Sequence, residues 1–479
     1  MSVYDLIVVG GGTAGLTAAI GAARQGGRTL LIERDRTGGD CLWTGCVPSK
    51  ALLSVAERAH GVRTAAAFGV TVSDLNVDFS MAMAHVKNAI ATIAPHDSVE
   101  RLRREGVEVI AGTGTFAGPD RISVGDDVKH FRHAMIATGA APVVPPIPGL
   151  DASDPLTSDS LWDLDELPRR LVVLGGGPIG VELGQAFARL GSQVTLVEMA
   201  DRVLPRDDAA ASDIVARSLV ADGMDVRAGT TATRVEQQGD DFSLVVERDG
   251  HQTALPFDRI LVAVGRRPNV EGLGLSDAGV ELTERKAVKV DKRLRTTNRR
   301  IYAGGDVTML LPFTHTAGMH GATVVQNALY GLRKSVDHAR IPWVTFTSPE
   351  VATVGLSASE ARQRFGDRAV VRKVSHAELD RAITAGETDG FAMLVGDPKG
   401  RLVGATVVGP RAGETIGEAV AWLAAGVKLS AIVQTTHAYP TWNQDLANAS
   451  LEQLQAQLAE HGKVTAAVRK VRRVLPATW

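Results

Sequence analysis

Cysteine is nearly absent from this chain: 479 residues contain only two, Cys41 and Cys46. So few cysteines argue against a secreted, disulfide-framed module and suit a reducing compartment. Long apolar runs are missing as well, so no segment is expected to span a bilayer. The opening MSVYDLIVVGGG enters a strand directly, without a basic region, a long apolar core or a cleavage site, so no signal peptide is expected. Neither sign of charge dominates. The 52 Lys and Arg nearly balance the 54 Asp and Glu, for a net charge of -2, and no basic block stands out. That excludes a nucleic-acid footprint and a membrane-surface patch, and leaves small molecules as the expected partners. The expected location is the cytoplasm. The composition is 44% hydrophobic, ample for ordinary cores, and the length suggests about three domains at ~150 residues each.

Both cysteines fall in one run, GGDCLWTGCVPSK, with four residues between them. A cross-link closing so small a loop constrains an unfolded chain of this size very little, because that stabilisation grows with loop length. A redox role explains the pair better. Val47, Pro48, Ser49 and Lys50 lead into ALLSVAERAH, which places Cys46 at a predicted helix N-terminus, where the helix dipole and Lys50 favour thiolate over thiol.

Two further segments share one plan: DLIVVGGGTAGLTAAIGAARQGGRTLLIE near the start and RLVVLGGGPIGVELGQAFARLGSQVTLVE in the middle. Each reads as apolar strand, glycine turn, helix with small residues on its packing face, second strand and terminal acid. That is the dinucleotide fingerprint in its full context. Gly10, Gly12 and Gly15 in the first copy, and Gly175, Gly177 and Gly180 in the second, are assigned to the tight turn, the approach to pyrophosphate and the helix packing. Glu33 and Glu198 are placed to take ribose hydroxyls. A carboxylate at Glu198 accepts bonds from the ribose of NADH and repels the extra phosphate of NADPH, so NADH is the expected coenzyme, with NADPH kept open by nearby Arg202. HAMIATGAAPVVPPIPG ends an apolar strand at Thr138 and Gly139 before a proline-rich crossover. RILVAVGRRPNVEGLGL, which includes Gly265, reads as the return crossing. From IPWVTFTSPEVATVGLS onward the pattern becomes α+β without a nucleotide fingerprint.

These motifs resemble the class I FAD-dependent pyridine nucleotide disulfide oxidoreductases, typified by dihydrolipoamide dehydrogenase, glutathione reductase and mercuric reductase, over nearly the whole chain. The resemblance implies an α/β fold with two Rossmann-like dinucleotide-binding domains and a C-terminal α+β dimerisation domain. It implies a discontinuous FAD domain over 1–150 and 276–340, a nicotinamide domain over 151–275 and an interface domain over 341–479. It further implies that Cys41 exchanges with substrate and Cys46 contacts the flavin. Lys50 would pair with Glu182, and Asp306 in IYAGGDV would bond the ribityl chain. Thr138, Gly139 and Gly265 join the cofactor-binding set, no resident metal site is implied, and a homodimer is expected.

The departures are local. Relatives commonly have Thr and Asn where this chain has Asp40 and Trp43. In TTHAYPTWNQDL, Pro440 and Thr441 set the register so that Tyr439 and Gln444 occupy the positions of the family's His and Glu acid-base pair, and His437 matches a position that is not catalytic in the family. A phenol with a pKa near ~10 protonates a leaving thiolate poorly at neutral pH. Tyrosine there is similar to mercuric reductase, yet the chain ends RRVLPATW, without the vicinal cysteines that deliver mercury in those enzymes. The expected function is an NAD(P)H-dependent flavoprotein oxidoreductase that passes electrons through Cys41 and Cys46 to a metal ion, quinone or unusual disulfide. The alternatives are a dihydrolipoamide dehydrogenase-like or low-molecular-weight disulfide reductase, and a redox-sensing flavoprotein.

Overall fold

The computed structural model describes residues 3–460, 462, 466 and 470; the terminal RRVLPATW lies outside the described residues. Two compact units are present, one of residues up to 203 together with 219–338, the other of residues 204–218 together with the chain from 339 onward.

The first unit starts with β1 (Val3–Val9), α1 (Thr13–Arg24) and β2 (Thr29–Glu33). Leu6, Ile7 and Val8 are fully buried, as expected of a parallel strand covered on both faces. Each such side chain contributes roughly 1.5–3 kcal/mol by leaving water. The short α2 (Gly39–Trp43) carries Cys41 and the long α3 (Cys46–Thr64) begins with Cys46; α4 (Phe79–Ile93) packs on both. After α5 (Val99–Arg104) come β3 (Glu108–Ala111), β4 (Gly114–Gly118), β5 (Arg121–Val124) and β6 (Asp127–Ile136). The sheet order is β3-β2-β1-β6-β5-β4. β7 (Ala140–Pro142) follows. The second fingerprint then gives β8 (Arg170–Leu174), α6 (Pro178–Leu190), β9 (Gln193–Val197) and β10 (Asp225–Arg227) of a separate sheet, with α7 (Ala209–Ala221) between β9 and β10 in sequence and its residues up to 218 in the other unit; three antiparallel strands follow, β11 (Thr231–Gln238), β12 (Asp241–Arg248) and β13 (His251–Phe257). β14 (Arg259–Val262) closes the second sheet in the order β10-β9-β8-β14.

The outgoing and returning segments meet: β15 (Arg266–Pro268) pairs antiparallel with β7. Thr138 Oγ1 donates to the Asn269 carbonyl at 2.7 Å, and the Asn269 amide donates to the Thr138 carbonyl at 2.9 Å. β16 (Ile301–Ala303) then returns to the first sheet, parallel to β6, with Ala303 opposite Ile136. A 3-10 turn starting at Asp306 and α8 (Thr314–Tyr330), packed on α1, complete the unit.

The second unit is an antiparallel sheet of β17 (Trp343–Thr345), β18 (Glu350–Gly355), β19 (Val370–Ser375), β20 (Phe391–Gly396) and β21 (Leu402–Gly409), in the order β17-β18-β21-β20-β19. Its helices are α9 (Ala358–Phe365), α10 (Asp380–Ala385), α11 (Ala412–Ala425), α12 (Leu429–Ile432) and α13 (Gln444–Glu460). Ile416, Ala419, Leu446 and Ala449 cover one sheet face against Ala352, Leu394 and Val407. α9 starts with a reciprocal capping box between Ser357 and Glu360. No helix among the described residues is long and apolar enough to cross a membrane.

One buried group makes this fold pH-sensitive. His320 on α8 has no exposed surface, and its Nδ1 accepts the Gly305 N–H at 3.1 Å. The ring proton therefore sits on Nε2 and donates to His338 Nε2 at 2.9 Å. Burial, with a smaller push from His338, lowers His320 to about 4. Between the ordinary histidine value near ~6.5 and that point, the unfolded chain binds a proton that the folded chain refuses, so stability falls as pH falls through this window. Urea midpoints measured from pH 7 to pH 4.5 should decline, and the His320→Gln variant, which retains an acceptor for Gly305, should decline less steeply. Parallel slopes would remove His320 from the account.

Candidate active site

Cys41 and Cys46 are free thiols, the first half-buried and the second exposed. They lie within hydrogen-bonding reach of one another, and that contact drives their ionisations in opposite directions. Cys46 falls to about 6, chiefly because the Cys41 thiol donates to it; burial opposes this, and the Thr314 hydroxyl and the Lys50 charge add to it. Cys41 is pushed up by that same bond and by burial, with a further contribution from the charge of Asp97. One proton is thus retained on Cys41 while Cys46 holds the negative charge. The position of Cys46 as the first residue of α3 reinforces this through the helix dipole.

Lys50, one turn further along α3, donates to Glu182 Oε2 on α6 at 2.8 Å. Glu182 is nearly buried, with 7% of its side chain exposed, and Lys50 is 38% exposed. The structure therefore brings Cys41, Cys46, Lys50 and Glu182 together, although α3 and α6 are far apart in sequence. Thr314, the first residue of α8, was not anticipated. Its Oγ1 lies 3.2 Å from Cys46 Sγ, so the hydroxyl is positioned to donate to a thiolate there. The only sequence signal was a hydroxyl opening the helix that follows GGDV. Asp97 was also missed. It ends the 3-10 turn that continues α4, and burial raises its own carboxyl.

The glycine turns fit a dinucleotide. Gly10 has φ 107, and a Cβ there would lie 2.3 Å from the Ala137 carbonyl oxygen; a Cβ on Gly15 would lie 1.9 Å from the Gly10 oxygen. Gly175 and Gly180 repeat both features, at φ 112 and 1.9 Å. Gly177 instead faces open space, and a Cβ on Gly12 would meet only the Gly39 Cα at 3.8 Å, so both turns leave room for a pyrophosphate. Glu33 accepts the Gly11 and Asp35 N–H groups at 2.5 and 2.8 Å, and Glu198 accepts those of Gly176 and Ala200 at 2.6 and 2.7 Å. Each carboxylate is anchored by one bond per oxygen and keeps lone pairs for ribose hydroxyls. Gly139 (φ 69) turns the chain into β7 and Gly265 (φ 146) turns it into β15.

Both departures near the cysteines are tied to arginines. Asp40 pairs with Arg266, whose guanidinium also donates to the Ala140 carbonyl at 2.5 Å. Burial raises Asp40 and Asp306, and Arg266 counteracts both. Trp43 donates to the Thr37 carbonyl at 2.8 Å, with Arg36 stacked 4.2 Å over its ring.

The remaining expected residues belong to the second unit. Tyr439 is exposed and donates to Asp380 Oδ2 at 2.6 Å. Gln444 opens α13, and its Oε1 is buried without a hydrogen-bond partner among the described residues. The tyrosine is thus partnered from α10 rather than by Gln444. Both nitrogens of His437 face acceptors, Nδ1 the Thr435 carbonyl and Nε2 Glu418, each at 3.0 Å, so neither is directed at a substrate. Trp442 is a core residue packed with Leu379 and Ala382. Among the described residues, no group of three or more His, Cys, Asp or Glu is arranged to hold a metal ion.

Residues 4–321 match the family described as pyridine nucleotide-disulphide oxidoreductase, and residues 341–450 match its dimerisation domain. The chain belongs to this family. It is 36% identical to a mercuric reductase of Bacillus cereus over 452 residues, covering 94% of this chain and 71% of that protein. It is 37% identical to a dihydrolipoyl dehydrogenase of Thermus scotoductus over 463 residues, covering 94% and 97%. Among solved structures, the Cu(II) complex of the HOCl-induced flavoprotein disulfide reductase RclA from Escherichia coli superposes with a TM-score of 0.82 at 30% identity, covering 94% of this chain and 99% of that one. As a pyridine nucleotide-disulphide oxidoreductase the chain is an enzyme, and the family depends on FAD and a pyridine nucleotide.

In the reduced protein, the Cys46 thiolate should appear as pH rises through about 6. Iodoacetamide labelling mapped by peptide mass would read that midpoint. Thr314→Val should move it upward and Thr314→Ser should keep it; a valine variant with an unchanged midpoint would rule out the hydroxyl contribution.

Proposed function

We propose that this enzyme oxidises NADH and delivers the electrons through Cys41 and Cys46 to an acceptor that draws no proton from an imidazolium: a metal ion, a quinone or an unusual disulfide. The observation that carries the reading is Cys46 as the first residue of α3, 3.2 Å from the Thr314 hydroxyl and within reach of the Cys41 thiol, an arrangement that favours charge on Cys46 and the proton on Cys41. Bound FAD supplies the two-electron exchange between pyridine nucleotide and the cysteines. Gly10, Gly12, Gly15, Glu33, Thr138, Gly139 and Asp306 are assigned to hold it, and Gly175, Gly177, Gly180, Glu198 and Gly265 to hold the nicotinamide coenzyme. Cys41 then exchanges with the acceptor, and Lys50, compensated by Glu182, keeps positive charge beside Cys46. Passing two electrons onward closes the Cys41–Cys46 disulfide. In this reading residues 1–150 with 276–340 bind FAD, 151–275 bind the coenzyme, and 341–479 form a homodimer in which Tyr439 serves the partner's cysteines.

Similarity alone does not choose the acceptor, because a mercuric reductase and a dihydrolipoyl dehydrogenase match at nearly equal identity. Position 439 does favour one side. Its phenol is bonded to Asp380, which raises its pKa further, so it is a weak proton donor to a leaving thiolate. Specialised mercury handling is disfavoured because these 479 residues include no cysteine besides Cys41 and Cys46 to pass the metal on.

Two-electron reduction by NADH under anaerobic conditions should produce a long-wavelength absorbance that Cys46→Ser abolishes; a wild type that never develops it lacks the proposed thiolate. NADH should reduce the protein faster than NADPH in stopped flow, and a clear reversal would overturn the role of Glu198. Turnover of lipoamide and glutathione disulfide should be roughly 10²- to 10⁴-fold below that of a family member with the histidine. Tyr439→His combined with Gln444→Glu should recover part of that loss. Rapid wild-type turnover of either disulfide would replace this reading with that of an ordinary disulfide reductase.

A further inference from the structure

Tyr439 is not held in place by the residue that sequence register assigns to it. Its phenol oxygen lies 2.6 Å from Asp380 Oδ2, and a carboxylate only accepts, so the phenol hydrogen points at Asp380. The contact is built into the unit. Leu379 and Ala382, which flank Asp380, are buried against Trp442, three residues beyond Tyr439. The Arg381 guanidinium stacks 5.1 Å from the Trp442 ring, so the cation next to Asp380 is turned toward the indole. His376, bonded to Asp445 at 2.9 Å, packs 5.8 Å from the same ring. The start of α10 and the 439–442 segment are thereby fixed to each other on both sides of the phenol–carboxylate bond.

We propose that Asp380 is the positioning residue of Tyr439: it takes up the phenol hydrogen, so that Tyr439 presents an oxygen lone pair, and no proton, to the acceptor. This rests on the reading of Tyr439 as the acceptor-side residue. It narrows the acceptors to those that carry positive charge or their own hydrogen-bond donor, because a lone pair attracts both and offers nothing to a departing thiolate. The raised ionisation of Tyr439 has the same origin. The hydrogen bond to Asp380 and the charge of that carboxylate are its largest causes.

If the carboxylate occupies the phenol hydrogen, removing it should create a proton donor. The test uses the FAD-loaded full-length protein, reduced by NADH and reoxidised by lipoamide, a neutral disulfide. Asp380→Ala should speed reoxidation by about tenfold, below the usual contribution of a general acid because a phenol is a weak one. Adding Tyr439→Phe to Asp380→Ala should abolish the gain. The rate of flavin reduction by NADH should stay the same in Asp380→Ala. With 3-fluorotyrosine incorporated, four resonances are expected and Tyr439→Phe identifies one of them; its ionisation should shift downward in Asp380→Asn. A lipoamide rate unchanged in Asp380→Ala, a gain that survives Tyr439→Phe, or a Tyr439 titration indifferent to Asp380→Asn would each overturn the proposal. Failure of the underlying reading looks different: the long-wavelength band does not form on reduction, whatever stands at position 380.

Discussion

The ion pair between Lys50 and Glu182 is the constraint on which the rest of the first unit depends. It joins the helix that starts with Cys46 to the helix that starts from the second glycine turn, two segments more than a hundred residues apart. Glu182 is almost out of water, and an unpaired carboxylate there would cost on the order of 2 kcal/mol, less than in a fully buried pair because Lys50 remains partly hydrated. The same lysine charge supports the Cys46 thiolate. A single cation therefore holds two helices in register and biases the chemistry of a sulfur.

A second ionic contact fixes the far end of the same helix pair. Asp222 takes His60 from α3 at 3.0 Å on one oxygen, and Arg189 and Gln185 from α6 at 2.8 Å each on the other. Glu182, Gln185 and Arg189 are spaced three and four residues apart, so they form one polar stripe on a helix that is otherwise buried and apolar. Two anchoring points along one interface prevent α3 from rotating, and rotation would carry Cys46 away from Thr314. In the second unit, the packing of Trp442 against α10 serves the same purpose for Tyr439 and Asp380.

Much of this was legible in the residues. The strand, glycine turn and helix of each fingerprint appear as the spacing required, because the close approach at Gly15 and Gly180 and the positive φ at Gly10 and Gly175 are local demands on the backbone. Glu33 and Glu198 could likewise be found at the ends of their strands. The pairing of Lys50 with Glu182 was reachable only through resemblance, since nothing near either residue refers to the other. Thr314, Asp97 and Asp380 left no usable signal: a hydroxyl at a helix start and two acids at turns are common wherever a chain meets solvent.

What the sequence determined by itself is therefore the local chemistry: two thiols ahead of a helix, two glycine turns of dinucleotide-fingerprint spacing with their acids, and a tyrosine in the register where the resemblance implies a histidine. Only the tertiary structure decided which groups act on those atoms. It brought Thr314 to Cys46, put the charge of Asp97 in range of Cys41, and paired Arg266 with Asp40 and Asp380 with Tyr439. The physical reason is range. Backbone conformation is set by neighbours within a few residues, whereas the charge and protonation of a side chain are set by whatever packs within a few ångströms of it, from any part of the chain.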